Sequence, residues 1–309
     1  MRVEREPFPA SLSPASVVTI GKFDGVHLGH RAVLAETVRR ARELGVEAAV
    51  VTFDRNPLAL LHPEASPPAI ASLEHRLELI AETGVDLVAV LGFDWTRANQ
   101  PAVDFVDELL VARLGARLVL VGADFRFGSK GEGDARRLRE LGAERGFEVD
   151  LLADVGGHGV DRISTSDIRR LITEGRVSEA AARLGSPPSV TGEVVHGNAR
   201  GRELGFPTAN LAEDSVGVVP ADGVYAGWLL ADGERMPAAI SVSDNPTFPS
   251  GDRRRVEAFV IDRELDLYGR TVAVEFVDRI RGIVAFDSID ALVERMAADV
   301  AEARAILGA

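Results

Sequence analysis

The chain contains no cysteine among its 309 residues. Disulfide bridges, thiolate metal sites and cysteine nucleophiles are therefore excluded, and six histidines remain for metal binding or acid–base chemistry. Long apolar runs are also missing, since stretches such as Leu58–Leu61 and Leu118–Val121 are far too short to cross a bilayer. The first residues alternate in charge and precede no apolar segment, which is unlike a secretory signal. We expect a soluble, cytoplasmic protein.

Positive charge is in deficit, with 35 Lys and Arg residues against 48 Asp and Glu residues and a net charge of −13. Nucleic acids and anionic membranes bind basic faces, so both are excluded as expected partners. Anionic small molecules remain possible ligands, because a phosphate responds to local backbone N–H groups and a few nearby cations rather than to the total charge.

The first part of the chain alternates strand patterns with helix patterns. A helix is predicted from about His30 to Gly45, and another from Pro101 to just before Gly115. This alternation is typical of βαβ units, so we predict a Rossmann-like α/β domain with a parallel sheet over residues 1–185. The predicted buried strands are Val17–Ile20, Ala48–Phe53, Leu87–Leu91, Leu118–Val121 and Phe147–Leu151.

After Gly185 the pattern changes to short strands without intervening helices. Asp232-Gly233 is a strong hairpin signal, and a final helix is predicted from Ser288. We predict a small antiparallel β-barrel with a terminal helix over residues 186–309. The predicted strands are Val190–Val195, Val224–Leu230, Ala238–Val242, Val256–Ile261 and Thr271–Phe276. The apolar stripe expected to cover the barrel is Ile289, Leu292, Met296, Val300 and Ile306.

The segment Gly21–His30 follows the first predicted strand and leads into a helix. Glycines at positions 21, 25 and 29 permit tight turns and close approach of a ligand. His27 and His30 are three residues apart at the helix start, where exposed N–H groups favour anions. This pattern suits the charge that grows on phosphate oxygens in a phosphoryl or nucleotidyl transfer, although the histidines could also merely cap the helix.

Three further segments of the first domain are candidates for nucleotide or ring binding. Ile163–Arg169 opens a helix with hydroxyl residues, which cap N–H groups and, together with Arg169, could hold phosphates. Phe53–Pro57 and Val121–Gly128 each follow a strand, and the aromatic residues of the second could flank a flat ring. Both could equally be ordinary corners between strand and loop.

The second domain carries polar residues in a pattern suited to ATP and Mg²⁺. The loop Gly192–Arg202 bears two arginines and runs into Leu204–Leu211, where Thr208 and Asn210 point to one side of an extended segment. Their hydroxyl and amide oxygens are hard ligands that Mg²⁺ accepts beside phosphates. Glu257 lies in an otherwise apolar strand, either on the outer face of the barrel or as a buried carboxylate suited to general-base catalysis.

Taken together and in order, these motifs resemble the bacterial bifunctional riboflavin kinase/FMN adenylyltransferases over nearly the full length. The resemblance implies a nucleotidyltransferase domain followed by a riboflavin kinase domain. It implies that ATP, with Mg²⁺ as cofactor, phosphorylates riboflavin to FMN. It also implies that a second ATP then adenylylates FMN to FAD with release of pyrophosphate. The implied partners are therefore small molecules only.

The resemblance also assigns roles to individual residues. The implied catalytic residues are Glu257 in the kinase, with His27 and His30 on the ATP phosphates of the adenylyltransferase. The implied ATP and phosphate contacts are Gly21, Phe23, Asp24, Gly25, Gly29, Ser164, Thr165, Arg169, Gly197, Arg200, Gly201, Arg202 and Pro207. The implied flavin contacts are Asn56, Asp124, Phe125, Phe127 and Asn245, and the implied metal ligands are Thr208 and Asn210.

The chain departs from the family pattern at three places. Ser164-Thr165-Ser166 replaces Ser-Ser-Thr and keeps every hydroxyl, Asn56 stands where histidine is common, and Ser243 where glycine is common. Other interpretations are an enzyme that retains one of the two activities, a nucleotidyltransferase for another mononucleotide, and a flavin-binding protein without catalysis. The motif at Gly205–Asn210 together with Glu257 argues against the second of these, and His27, His30 and Glu257 argue against the third.

Overall fold

The computed structural model describes residues 1–152, 163–197, 201, 204–244 and 254–309. It divides into two compact units, the first formed by Met1–Pro67 with Leu73–Ile163 and the second by Pro68–Ser72 with Ser164–Ala309. The first contains a six-stranded parallel sheet and the second a closed six-stranded barrel, which confirms the predicted fold class.

The sheet of the first unit has the strand order β1-β4-β3-β2-β5-β8, and every neighbouring pair is parallel. The five predicted strands are present, within two residues at each end. The first strand was missed because it is short, charged and exposed at the sheet edge, where apolar patterning is not required. The strands are β1 Arg2–Arg5, β2 Ser16–Ile20, β3 Glu47–Phe53, β4 Leu87–Leu91, β5 Ala116–Gly122 and β8 Glu148–Leu152.

Helices connect the strands of this sheet. The helix predicted after the glycine motif begins at Leu28 and ends at Leu44, where Gly45 adopts the left-handed conformation with φ 66°. The one predicted after Pro101 begins as α-helix and continues as a π-helical segment, Val106–Arg113. The helices are α1 Leu28–Leu44, α2 Leu58–Leu61, α3 Leu73–Ala81, α4 Trp95–Ala98, α5 Ala102–Phe105 and α6 Ala135–Arg145; the short strands β6 Arg126–Phe127 and β7 Gly133–Asp134 pair with each other.

The barrel of the second unit closes in the order β10-β13-β12-β11-β14-β9. Asp232 and Gly233 link β11 to β12 with φ of 50° and 79°, the left-handed values that a two-residue hairpin turn requires. The strands are β9 Ser189–Val195, β10 Ala209–Leu211, β11 Gly223–Ala231, β12 Glu234–Asp244, β13 Arg254–Val260 and β14 Thr271–Arg281. Sequence patterning missed only β10 among these, because three residues are too few to show a period.

Among its described residues, the second unit includes the helices α7 Thr165–Thr173, α8 Val177–Leu184 and α9 Ile289–Leu307. Helix α9 covers the outer face of β11, β12 and β14, as predicted, with Val300 and Leu307 beside Phe259 and Ile280. The predicted stripe is wrong at its last member, Ile306, which is 38% exposed, and at its first member, Ile289, which is 67% exposed. It lies in the first turn, before the helix reaches the apolar part of the barrel surface.

Helices α7 and α8 lie within the predicted first domain but belong by contact to the second unit. Val177, at the start of α8, joins the barrel core, and α8 packs on β14. The compact units divide between Ile163 and Ser164, whereas the alternation of strands and helices in the sequence extends to about Leu184. The boundary at residues 185 and 186 stays a prediction about functional domains.

Candidate active sites

The loop after β2 has an unusual backbone that its own buried side chains hold in place. Phe23 and Val26 adopt positive φ values of 48° and 39°, and Gly25 lies between them at 74°. Such φ values cost any residue other than glycine of order 1–3 kcal/mol. The side chains of Phe23 and Val26 are buried in a core cluster with Leu77 and Ile80 of α3, so burial offsets the strain. The loop is thereby fixed before any ligand binds.

The two histidines of this loop stack at the start of α1. Their ring centroids are 3.6 Å apart with 17° between the planes, and Nδ1 of His27 accepts the backbone N–H of His30 at 3.2 Å. A Cβ at Gly29 would lie 3.1 Å from the His27 ring, and a Cβ at Gly21 would lie 3.0 Å from the Phe23 ring. Glycine at these two positions therefore lets the rings pack closely against the backbone.

Burial keeps both imidazoles neutral. It lowers the pKa of His27 to about 4, against a smaller opposing effect of Asp24. It lowers the pKa of His30 to about 3, and the neighbouring His27 lowers it further. Nδ1 of His30 is buried and has no hydrogen-bond partner among the described residues. Neutral rings at a helix N-terminus can still donate N–H groups to an anion.

The topology of the sheet brings two of the predicted segments together. From β2 the chain moves to β3 and β4 on one side, and then crosses to β5 on the other side of β2. Ligands of such sheets bind beyond the carboxyl ends of the strands where this reversal occurs. The loops 21–30 and 122–128 follow the adjacent strands β2 and β5 at this edge.

The aromatic residues of the second loop differ in exposure. Phe125 and Phe127 stack with their centroids 5.4 Å apart, and Phe127 also contacts Phe105 at 5.9 Å. Phe127 is only 7% exposed and belongs to the core, whereas Phe125 is partly exposed and Asp124 is exposed. In the structure, Phe127 packs in the hydrophobic core, and its contact with flavin stays a prediction.

Asn56 lies on the neighbouring loop, after β3. Its Oδ1 accepts the N–H of Leu58 at 3.2 Å, so the side chain starts helix α2. Asp54, two residues earlier, accepts the N–H of Phe93 at 2.9 Å and ties this loop to the one after β4. A ligand contact of Asn56 stays a prediction.

A large cavity of about 960 Å³ opens at the same edge of the sheet, and sequence reasoning missed it. Its wall combines loops after β1, β3 and β4, which are neighbours only in the folded sheet. Arg97 bonds Glu6 in this wall, and Gln100 donates to Glu108 at 2.8 Å. The other lining residues include Asp54, Arg55, Leu60, Phe93, Trp95 and Pro101.

Arg76 of α3 is a second feature that the sequence did not reveal. It is 7% exposed and donates from Nη1 to the carbonyl of Lys22 at 2.8 Å, and from Nη2 to the carbonyl of Phe53. Lys22 belongs to the histidine loop and Phe53 ends β3. One guanidinium therefore joins two of the loops at the carboxyl edge of the sheet.

Ser164, Thr165 and Arg169 belong to the second unit, whereas His27 and His30 belong to the first. Ser164 caps α7: its Oγ accepts the N–H of Asp167 at 3.1 Å and donates to the Asp167 carboxylate at 2.7 Å. Arg169 donates from Nε to the carbonyl of Pro68 at 2.9 Å. The helix-capping interpretation of the serine is thus observed, and the phosphate role of the group stays a prediction.

The barrel brings Thr208, Asn210 and Glu257 together. Asn210 on β10 is the register partner of Glu257 on β13, and Oγ1 of Thr208 donates to Oε2 of Glu257 at 3.4 Å. Nδ2 of Asn210 donates to the carbonyl and the hydroxyl of Thr208 at 3.1 and 3.3 Å. Because Val256 and Ala258 point into the barrel core, Glu257 lies on the outer face. Its side chain is 30% exposed, and Arg255 lies 3.6 Å away.

Two glycines make room for this cluster. A Cβ at Gly197 would lie 2.6 Å from Cγ of Asn210, and a Cβ at Gly201 would collide with the carbonyl of Phe206. Phe206 contacts Phe259, two residues after Glu257, with ring centroids 5.3 Å apart. Pro207, next to it, is partly buried. The predicted contacts Arg200, Arg202 and Asn245 lie outside the described residues.

One aromatic pair near this cluster was also missed. The ring of His196 stacks on Tyr268 with centroids 3.9 Å apart and 27° between the planes. Tyr268 lines a small cavity with Pro207, Thr208, Arg263 and Leu265. Tyr268 could be recognised in the sequence as part of the turn 266–269, but only the fold shows that His196 stacks on it.

In the described part of the chain, no helix combines the length and apolarity needed to span a bilayer. No group of three or more His, Asp or Glu side chains within the described ranges is arranged to hold a metal ion.

Comparison with known proteins identifies both halves. Residues 10–167 match the family described as FAD synthetase and residues 184–307 the family described as riboflavin kinase. Proteins named bifunctional riboflavin kinase/FMN adenylyltransferase are 37% identical in Escherichia coli K12 and 34% identical in Listeria monocytogenes; each alignment covers 94% of this chain and 93% or 91% of the relative. A Streptococcus pneumoniae crystal structure titled as a macrolide-efflux protein has a TM-score of 0.83 and 33% identity over 98% of both chains.

Proposed function

The chain belongs to the family of bifunctional riboflavin kinase/FMN adenylyltransferases and performs both reactions, and from this premise we propose where each one takes place. Riboflavin is phosphorylated at the barrel, around Glu257, Thr208 and Asn210. FMN is adenylylated at the carboxyl edge of the parallel sheet, around His27 and His30. The observations that carry the proposal are the contact of Thr208 with Glu257 at the barrel and the stacking of His27 on His30 at the sheet edge.

At the barrel, Glu257 is the general base. A hydroxyl of riboflavin attacks the γ-phosphorus of ATP, a new O–P bond forms, the P–O bond to ADP breaks, and the hydroxyl proton passes to Glu257. The long hydrogen bond from Oγ1 of Thr208 orients the Glu257 carboxylate on the outer face of β13. Its position on the outer face leaves one side open to a substrate.

Thr208 and Asn210 fit a magnesium ion that arrives with ATP. Nδ2 of Asn210 is used on Thr208, and Oδ1 lies beside Gly197, where a Cβ would fill the space. Hydroxyl and amide oxygens in this arrangement suit the incomplete protein coordination that Mg²⁺ usually takes beside phosphates. When bound, the ion would neutralise charge on the transferred phosphoryl group.

At the sheet edge, the FMN phosphate attacks the α-phosphorus of ATP and pyrophosphate leaves. A phosphate monoester is already ionised, so this step needs positioning and charge stabilisation rather than a base. The neutral rings of His27 and His30, and the N–H groups at the start of α1 other than that of His30, are donors for the phosphate oxygens.

We propose that the isoalloxazine ring of FMN occupies the cavity of about 960 Å³ in the first unit. Phe93 and Trp95 offer flat apolar surface there. Gly128 packs against Ala102, next to Pro101 of the cavity wall, so the Phe125–Phe127 stack borders the same region. We further propose a cytoplasmic location, because both reactions consume ATP.

The test separates the two sites within one chain. Glu257→Gln should stop FMN formation from riboflavin while added FMN still becomes FAD, and His30→Ala should do the converse. Matched controls are Glu275→Gln, another barrel-strand glutamate that pairs with Arg235, and His75→Ala on α3. Product chromatography after incubation with labelled riboflavin or FMN, ATP and Mg²⁺ measures both. If either variant lost both activities while folded, the assignment of two sites would be refuted.

A further inference from the structure

Arg76 is a buried cation that bonds only backbone carbonyls. None of the ion pairs formed within the described residues includes it, and its Nε is buried with no hydrogen-bond partner there. The carboxylates of Asp24, Asp54 and Glu74 act on it electrostatically and favour its charged form. Burial lowers the pKa of Arg76 from its ordinary value, but that value is so high that the guanidinium stays charged at neutral pH. A buried charge without a paired carboxylate is costly, which calls for a reason to keep it.

The position of Arg76 supplies that reason. Leu77 and Ile80 of the same helix pack against Phe23 and Val26, so α3 lies directly behind the histidine loop. From there the planar guanidinium reaches the Lys22 and Phe53 carbonyls at once. Lysine, with one ammonium group, could not reproduce this fork.

We infer that Arg76 is a positioning residue of the adenylyltransferase site, which fixes the histidine loop against the loop after β3 and adds positive potential beneath the bound phosphates. The inference rests on the proposed function of the histidine loop. Asp24, Asp54 and Glu74 offset only part of the cost of burying this charge, and an anionic nucleotide would stabilise it further. The hydrogen bonds to the Lys22 and Phe53 carbonyls explain how Arg76 positions the two loops, and its positive charge predicts that the bound ligand is an anion.

The experiment measures FAD formation from FMN and Mg·ATP, with inorganic pyrophosphate as the anionic probe of the site. Arg76→Met should raise both the KM for ATP and the inhibition constant of pyrophosphate about tenfold or more, and also lower kcat. Arg76→Lys should keep most of the anion affinity but show a reduced kcat, because the loops are no longer joined. A purely structural role would lower the melting temperature or the active fraction and leave KM and the inhibition constant unchanged.

Two controls accompany these variants. Arg2→Met removes an arginine from the opposite edge of the same sheet, where it bonds the Leu12 carbonyl and Glu47, and should leave both constants unchanged. Riboflavin phosphorylation by each variant should equal that of the wild type. Unchanged KM and inhibition constant in Arg76→Met, or equal changes in Arg2→Met, would overturn the inference. If Arg76→Met does not fold, an unchanged kcat in Arg76→Lys overturns it.

A wild-type chain that made no FAD would instead refute the proposed function itself.

Discussion

The stacked histidines make the stability of the first unit depend on pH. In the folded chain the pKa is about 4 for His27 and about 3 for His30, whereas an unfolded histidine has about 6.5. Because the folded values are depressed, the unfolded state binds more protons between these limits. The stability that neutral burial allows is therefore fully present above pH 6.5 and is lost as the pH falls toward the folded values.

The size of the effect follows from proton binding alone. Each ring costs about 1.4 kcal/mol per pH unit below its unfolded pKa, so between pH 7 and 5 the loss is about 2 kcal/mol for each and about 4 kcal/mol for the pair. Both folded values lie at or below about 4, so this figure depends mainly on the unfolded one.

The assay compares the wild type with the double variant His27→Gln/His30→Gln, which cannot titrate at these positions. Urea titrations at pH 7 and 5, read by hydrogen exchange of peptides from α1, give the stability of the first unit. The pH-dependent loss should be smaller in the double variant by about 4 kcal/mol. Peptides from α9 in the second unit should show no difference between the proteins. Equal losses in both proteins for α1 peptides would refute the reasoning.

Two further predictions concern the barrel. Gly197→Ala places a Cβ 2.6 Å from Cγ of Asn210. We therefore expect the KM for Mg·ATP in riboflavin phosphorylation to rise about tenfold, with FMN adenylylation unchanged. Kinetics equal to the wild type would contradict the proposed metal site. The Asp299 side chain is 5% exposed and forms ion pairs with Arg281 at 2.6 Å and with Arg295 at 2.9 Å. Asp299→Ala should destabilise the second unit by about 3–5 kcal/mol in urea unfolding, and a loss below about 1 kcal/mol would mean that the network is not a buried pair.

Sequence patterning predicted most elements because burial imposes a period on the residues. Strands β2 to β4 and the Leu118–Val121 part of β5 are buried on both faces and appear as continuous apolar runs, and the ends of α1 are marked by its glycines. Sequence patterning missed two strands that show no apolar periodicity, namely the charged edge strand β1 and the three-residue strand β10. Ile289 was misassigned because a helical stripe extends into the first turn whether or not the partner surface does.

The order of the residues is sufficient to predict which chemical groups are present and how they follow one another: a glycine loop with two histidines before a helix, a Thr-x-Asn segment, and a glutamate in an apolar strand. Local order follows from short-range sterics and hydrogen bonding, which neighbouring residues control. Three features of the sites came from the fold alone: Asn210 pairs with Glu257, burial keeps the two histidines neutral, and Arg76 joins two loops. Strand register, burial and the reach of a guanidinium across 54 residues depend on distant parts of the chain meeting in space.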